Sequence, residues 1–321
     1  MLEFATRDAG FRRLLDLADR AARSRANVLI TGESGTGKNR LARFLHERSS
    51  RSAGPFVEVA CANLPKELIE SELFGHERGA FTDAREERGG RFEQASTGTL
   101  FLDEVQEIDP ALQAKILRAI EEKRFERLGG TRTLEVDIRI LASTREDPAS
   151  LVARGRLRED LLYRLDVVRL HIPPLRERPG DVPLLARAFL DEAVARHDLT
   201  PRRLSPAAIA ALARHSWPGN VRELRHAIES AAVLAGGEIL EAADLPAGLS
   251  VASPANLRAA ASEGMTLDRL QEAYVDEVLR RTRGNKSAAA RILGIHRKTL
   301  HEHLRARSGR AASGEPGGEG S

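Results

Sequence analysis

The chain is poor in residues that cross-link and in large rings. Of its 321 residues, one is cysteine (Cys61), one is tryptophan, two are tyrosine and two are methionine. A single cysteine excludes an intrachain disulfide framework and any metal site built from several thiolates. Its expected role is that of a small buried residue, and a reducing, cytoplasmic setting fits. No run approaches the ~18 apolar residues that cross a membrane, so no membrane partner is expected. The first residues, MLEFATRDAGFRR, are charged early and lack the apolar core of a secretory signal. Lysine is scarce as well, at six of 50 basic residues.

What is present is enough to fold. Hydrophobic residues make up 41% and charged residues 30%, too apolar a mixture for a disordered chain. The length predicts about two domains and a small third. The formal net charge of +3 is unevenly spread. Residues 280–310 hold ten Lys/Arg and a single acid, Glu302, a net +9 that leaves −6 on the rest. A basic C-terminal module on a mildly acidic body points to a nucleic-acid partner.

Residues 1–180 alternate apolar runs with helical patterns. Asn27–Thr31, Phe56–Val59, Thr99–Leu102 and Asp137–Ser143 read as short buried strands; Asn39–Glu47 and Pro110–Glu122 read as helices between them. Such alternation predicts an α/β fold with a parallel sheet. Residues 181–245 show helical periodicity without a convincing strand and predict a helical subdomain. Residues 246–264 read as a linker, 265–307 as a helical unit and 308–321 as a disordered tail.

After the first strand comes Gly32-Glu33-Ser34-Gly35-Thr36-Gly37-Lys38, then a helix. Glycines let backbone N–H groups close around phosphates, the helix N-terminus adds positive potential, and Lys38 reaches the terminal phosphates. Asn39 stands where the general pattern has the Ser/Thr that meets Mg²⁺. The run Thr99-Leu100-Phe101-Leu102-Asp103-Glu104 delivers two acids at the end of an apolar strand. Asp103 is the candidate Mg²⁺ holder, through water, and Glu104 the group that polarises the attacking water. ATP and Mg²⁺ are the expected cofactors.

With these two motifs the chain resembles, from about residue 11 to 307, the AAA+ ATPases of the sigma-54-dependent transcriptional activators, the bacterial enhancer-binding or NtrC-like proteins. The most specific stretch is Glu72–Ala84, which ends in Gly79-Ala80-Phe81-Thr82-Asp83-Ala84. The family's hallmark there, GAFTGA, is a mobile loop that touches sigma-54. An apolar Phe81 among small residues and charges suits an exposed tip. The resemblance implies arginine fingers at Arg158 and Arg164, six apart on a helical segment, reaching a neighbour's γ-phosphate. It implies a first sensor at Thr144 and a second at Arg222, in Trp217–Leu224, where Asn220 can cap a helix. It further implies a helical lid at 181–245 and a hexameric ring.

Departures accompany the resemblance. Asn39 replaces a Glu, and Ala60 stands where the family's VNCAAL segment has an Asn that restrains the catalytic Glu. The first sensor reads Ser143-Thr144-Arg145, and Asp83 replaces a glycine. These changes touch the coupling of hydrolysis to the loop rather than the phosphate chemistry.

In the C-terminal unit, Leu267, Leu270, Tyr274 and Val278 fall on one helical face. Asn285 is a candidate cap, Gly294-Ile295 a turn, and His296–Ala306 a second helix. Helix, glycine turn and basic helix form a helix-turn-helix, similar to the Fis-type domain that ends this family. Arg297, Lys298, Thr299 and His301, with His296, are the candidate groove contacts; Lys286 and Arg291 are candidate phosphate contacts. His301 and His303 are badly spaced for a metal pair.

The function implied is a regulator that binds upstream enhancer DNA and uses ATP hydrolysis to remodel the sigma-54 RNA polymerase holoenzyme. The alternative is a DNA-binding AAA+ regulator, a repressor or an activator with another sigma factor, in which ATP controls oligomerisation alone. The phosphate site begins within about 30 residues of the start. The sequence therefore shows no receiver or sensing domain, and regulation by a separate protein, constitutive competence and truncation all stay open.

Overall fold

The computed structural model describes residues 4–63, 66–81 and 86–246, and beyond these only 274, 275, 278, 282, 286 and 300. The chain divides into two compact units, residues 1–244 and 245–321. The first is an α/β domain with a helical lid. At its centre lie β1 (Val28–Thr31), β2 (Phe56–Ala60), β3 (Thr99–Asp103), β4 (Arg139–Thr144) and β5 (Val168–His171), in the order β2-β3-β4-β1-β5. Every pairing between them is parallel.

The strands read as apolar runs because both faces are covered. Leu29, Leu100, Leu102, Ile140 and Ala142 face one side. They pack with α3 (Lys66–Phe74), α5 (Pro110–Glu122) and α7 (Glu159–Leu165), through Phe74, Ile116 and Leu161 among others, and the short α4 (Arg91–Gln94) adds Phe92. Val28, Ile30, Phe101, Leu141 and Leu170 face the other side, against Phe11 and Ala18 of α1 (Ala9–Ala22) and Leu41 and Leu45 of α2 (Lys38–Glu47). Arg139 is 2% exposed yet pairs with no acid among the described residues. It donates instead to Ala21 O, Ala22 O and Ala26 O, at 2.8, 2.9 and 3.1 Å, where α1 ends, and burial brings its pKa down to about 10.

Helix starts follow local chemistry. Asp109-Pro110 opens α5, Asp147-Pro148 opens α6 (Pro148–Ala153), and Ser205-Pro206 opens a lid helix; each side chain accepts a first-turn N–H. The lid comprises α8 (Val182–Arg196), α9 (Pro206–Arg214) and α10 (Asn220–Leu234). Trp217, fully buried, donates from Nε1 to Leu212 O at 3.0 Å.

Several features differ from expectation. The lid contains a two-residue parallel pairing, Arg203–Leu204 with Ile239–Leu240, too short for periodicity to reveal. A hairpin of Arg124–Glu126 with Thr133–Glu135 was not expected, nor was β5, an edge strand whose Arg169 and His171 are exposed. In the second unit Val278 is buried as expected, but Val275 is also buried, at 8%, and Tyr274 is 46% exposed. Lys286 is helical and exposed. The linker after residue 246, Arg291, His296, Arg297, Lys298, Thr299, His301 and the tail lie outside the described residues, as do Thr82, Asp83 and Ala84.

Phe74, Phe92 and Phe125 form a ring cluster with centroids 4.9, 5.6 and 5.7 Å apart. It fastens α3, α4 and the hairpin together. Phe92→Ala should lower unfolding free energy by about 3–5 kcal/mol, read as a lower urea midpoint at unchanged slope.

Candidate nucleotide site and contact loop

Ligands of open parallel sheets bind beyond the C-terminal strand ends. There, β1, β3 and β4 deliver the phosphate loop, Asp103-Glu104 and Ser143-Thr144. Gly32, Gly35 and Gly37 all have positive φ, at 147°, 78° and 109°. At Gly35 a Cβ would sit 2.3 Å from Gly219 O, so no other residue fits. Gly37 is the N-cap of α2 and brings no side chain to its first-turn N–H groups. That leaves them for an anion.

Lys38 is 5% exposed. Its Nζ donates to Gly32 O at 2.9 Å and pairs with Glu104 Oε1 at 2.9 Å. Glu104 accepts a second bond from Gln106 Nε2 at 2.5 Å. Burial opposes ionisation of Glu104, but the Gln106 and Lys38 hydrogen bonds and the Lys38 charge hold its pKa below the usual carboxylate range. Its backbone is left-handed, φ 59° and ψ 59°, a costly conformation for a non-glycine residue.

Asp103 accepts from Ser143 Oγ at 2.5 Å and from Asn39 Nδ2 at 3.2 Å. Asn39 also donates to Glu58 Oε1. The residue that departs from the general pattern therefore bridges two carboxylates beside the loop. Ser143 Oγ further accepts the Glu104 N–H at 2.9 Å. Thr144, the expected sensor, is buried and turned to Glu146, whose N–H it accepts at 3.2 Å; its neighbour Ser143 is the one that meets both acids. Cys61 is buried, and burial pushes its thiol up to about 12.

The lid grips the loop directly. Val221 N and Arg222 N donate to Gly35 O at 3.0 and 3.3 Å. Arg222 Nη1 meets Ser34 Oγ at 3.1 Å. Asn220 opens α10 with φ 52° rather than capping it; the cap is Gly219. The Asn220 amide donates to Ser34 O and Glu33 Oε2 at 3.0 and 3.1 Å and accepts the Leu175 N–H at 2.8 Å. Arg176 forks onto Glu33 at 2.7 and 2.8 Å.

Arg158 is the N-cap residue of α7, not inside it, and forks onto Asp160 at 2.7 and 3.0 Å. Arg164 lies exposed in the last turn, beside Tyr163 at 86% exposure. Its carbonyl accepts from Asn27 at 3.0 Å.

Phe81 is 36% exposed, its ring edge-on to His76 at 5.0 Å. The stem below is Gly75–His76 paired with Arg88–Gly89. Arg127, which the sequence did not single out, forks onto Glu93 at 2.8 and 2.9 Å and also binds Glu77 and Glu87. Its side chain thus ties both flanks of the loop to the hairpin, and the Glu93 carboxyl is held low by Arg127, against burial.

These features have counterparts in known proteins. The sigma-54 interaction domain matches residues 4–171. This chain belongs to the sigma-54 activator family. An AAA+ ATPase lid domain matches residues 176–262, and the Fis family of bacterial regulatory proteins residues 266–306. The transcriptional regulatory protein FlbD of Caulobacter vibrioides is 45% identical over 313 residues, 93% of this chain and 69% of FlbD. ZraR of Klebsiella oxytoca is 46% identical, covering 90% and 65%. AtoC of Escherichia coli is 46% identical, covering 87% and 62%. The chain thus spans about two thirds of the length of these relatives. Crystalline NtrX from Brucella abortus, solved with ATP, superposes with a TM-score of 0.71 at 36% identity, covering 95% of this chain and 69% of NtrX. Yeast Hsp104, at 18% identity and a TM-score of 0.51, shares the fold.

The Glu33–Arg176 pair makes lid docking acid-sensitive. Hydrogen bonds from Arg176 hold Glu33 below its ordinary 4.5 against the effect of burial. Its contribution is complete above 4.5 and is lost as pH falls through the lower folded value. Arg176→Met should flatten the decline in urea midpoint below about pH 4.5, followed by fluorescence of Trp217, the chain's one tryptophan.

Proposed function

We propose that this chain hydrolyses ATP to ADP and phosphate at the Lys38–Asp103–Glu104 site. We further propose that it uses the cycle to drive the Phe81 loop against sigma-54 on RNA polymerase, while its C-terminal module holds upstream DNA. The observation that carries the reading is the convergence of a buried lysine, a glycine phosphate loop and two acids at the ends of β1 and β3. Lys38, the α2 N-terminus and Arg222 surround the place for the phosphates. The carboxylates of Asp103 and Glu58 both reach Asn39 Nδ2, and their oxygens are the kind of ligand that suits Mg²⁺. Mg²⁺ bound there would neutralise developing phosphate charge. Glu104, released from Lys38, takes a proton from the attacking water.

Arg164 supports a multi-subunit site. Its carbonyl sits at Asn27, the start of β1, whereas the phosphate loop follows the other end. The four residues of β1 span roughly 13 Å. An arginine placed there serves a neighbour's nucleotide better than its own. Exposed Tyr163 and Val167, at 86% and 60%, flank it and suit a subunit contact. A ring of such chains, probed as a hexamer, completes each site in this reading. The basic segment 280–310 supports DNA binding.

Lys38→Ala should abolish ATP turnover. Arg164→Ala should lower it by about 10³-fold or more while each subunit still binds ADP; steady-state phosphate release and ADP titration check both. Phe81→Ala should keep ATP turnover but lose capture of purified sigma-54 in the presence of ADP–aluminium fluoride. Sigma-54 captured equally by wild type and variant would contradict the loop's role, and none captured by either would favour a regulator that does not remodel sigma-54.

A further inference from the structure

Glu104 is held on both oxygens. Oε1 lies 2.9 Å from Lys38 Nζ, and Oε2 accepts from Gln106 Nε2 at 2.5 Å. A carboxylate that is to take a proton from water needs a lone pair aimed at that water. An arriving phosphate competes for Lys38 and frees Oε1. Nothing in phosphate binding frees Oε2.

The second partner is unusual. Gln106 lies in the single turn Val105–Glu107 and is 3% exposed. Its Oε1 is buried and meets no donor among the described residues. The amide cannot be turned over, because its oxygen would then face the carboxylate. Gln106 therefore leaves one buried polar atom unpaired, a destabilising arrangement, while its other end binds Glu104. Its carbonyl is tied to Arg156 Nη2 at 3.4 Å, which fixes the turn. The neighbouring strand offers no alternative restraint: Ala60 pairs in register with Asp103 and brings only a methyl group.

We propose that Gln106 is a positioning residue that keeps Glu104 in a resting orientation, and that turnover requires Glu104 to leave its amide. The inference rests on the ATPase reading above.

The test uses the full chain and Gln106→Met, which keeps the side-chain length and removes the amide. Steady-state kcat should rise roughly tenfold, the size expected for loss of one charge-assisted hydrogen bond, with KM for ATP unchanged. Affinity for ADP–aluminium fluoride should tighten in parallel, while affinity for ADP stays constant. A structural defect would move both affinities or neither. Gln106→Ser gives the same readout should the Met variant fail to bind ADP. An unchanged or lower kcat, or equal shifts for both ligands, overturns the proposal. Lys38→Ala run beside it separates the failures: turnover that survives that change sinks the ATPase reading itself.

Discussion

The burial of one ammonium group organises this site. An isolated buried charge costs far more than the whole stability of a domain, so Lys38 must be matched on every side. Its partners are Gly32 O, Glu33 O and Glu104. Each imposes a condition elsewhere. Gly32 reaches its place with φ 147°, where a Cβ would lie 2.8 Å from Ile172 O. Glu104 reaches its place only through a left-handed turn after β3, steadied by Ser143 on the adjoining strand. In the proposed reading, phosphate and Glu104 are thus rivals for the same cation, and binding of one loosens the other.

The lid shares that loop, so it cannot be indifferent to what the loop holds. Gly35 O receives two N–H groups from the start of α10, and Asn220 ties the loop's Ser34 O to the Leu175 N–H. Glu33 is the charged part of the same contact, half-exposed and forked by Arg176. Such a surface pair adds little energy alone. Its geometry matters more: together with the backbone bonds it sets where Arg222 stands relative to the glycine loop. The left-handed backbone at Trp217 and Asn220, φ 52° at both, is tolerated because the Trp217 ring is wholly buried and the Asn220 amide fully engaged.

What the sequence made legible is what is contiguous. The phosphate loop, the Asp103-Glu104 pair and the apolar strands β1 to β4 each lie within a few residues and carry their own pattern. The contacts that assemble them do not. Ser143 and Asp103 are 40 apart, Arg127 and Glu77 are 50 apart, and Arg176 and Glu33 are 143 apart. In a chain with 50 basic residues, nothing local distinguishes Arg127 from its neighbours. The edge strand β5 escaped because half its side chains face solvent. Thr144 stood out over Ser143 by resemblance alone; strand alternation decides between them, and it turns Ser143 toward the acids.

Arg127 bears on the contact loop. Glu77 precedes the loop, Glu87 follows it and Glu93 lies in α4, so one guanidinium fixes both flanks. Cohesion in the stem leaves the tip free of that task. Phe81 makes one aromatic contact, with His76. An edge-on pair of this kind is worth about 0.5–1.5 kcal/mol, against about 1.5–3 kcal/mol for burying a phenylalanine side chain fully. Phe81 is still 36% exposed, so only part of that burial energy stays open to a surface that covers the ring, while the stem keeps its own bonds. In the proposed cycle, a base held this firmly by Arg127 lets a displacement reach Phe81 without loss of the stem's own bonds.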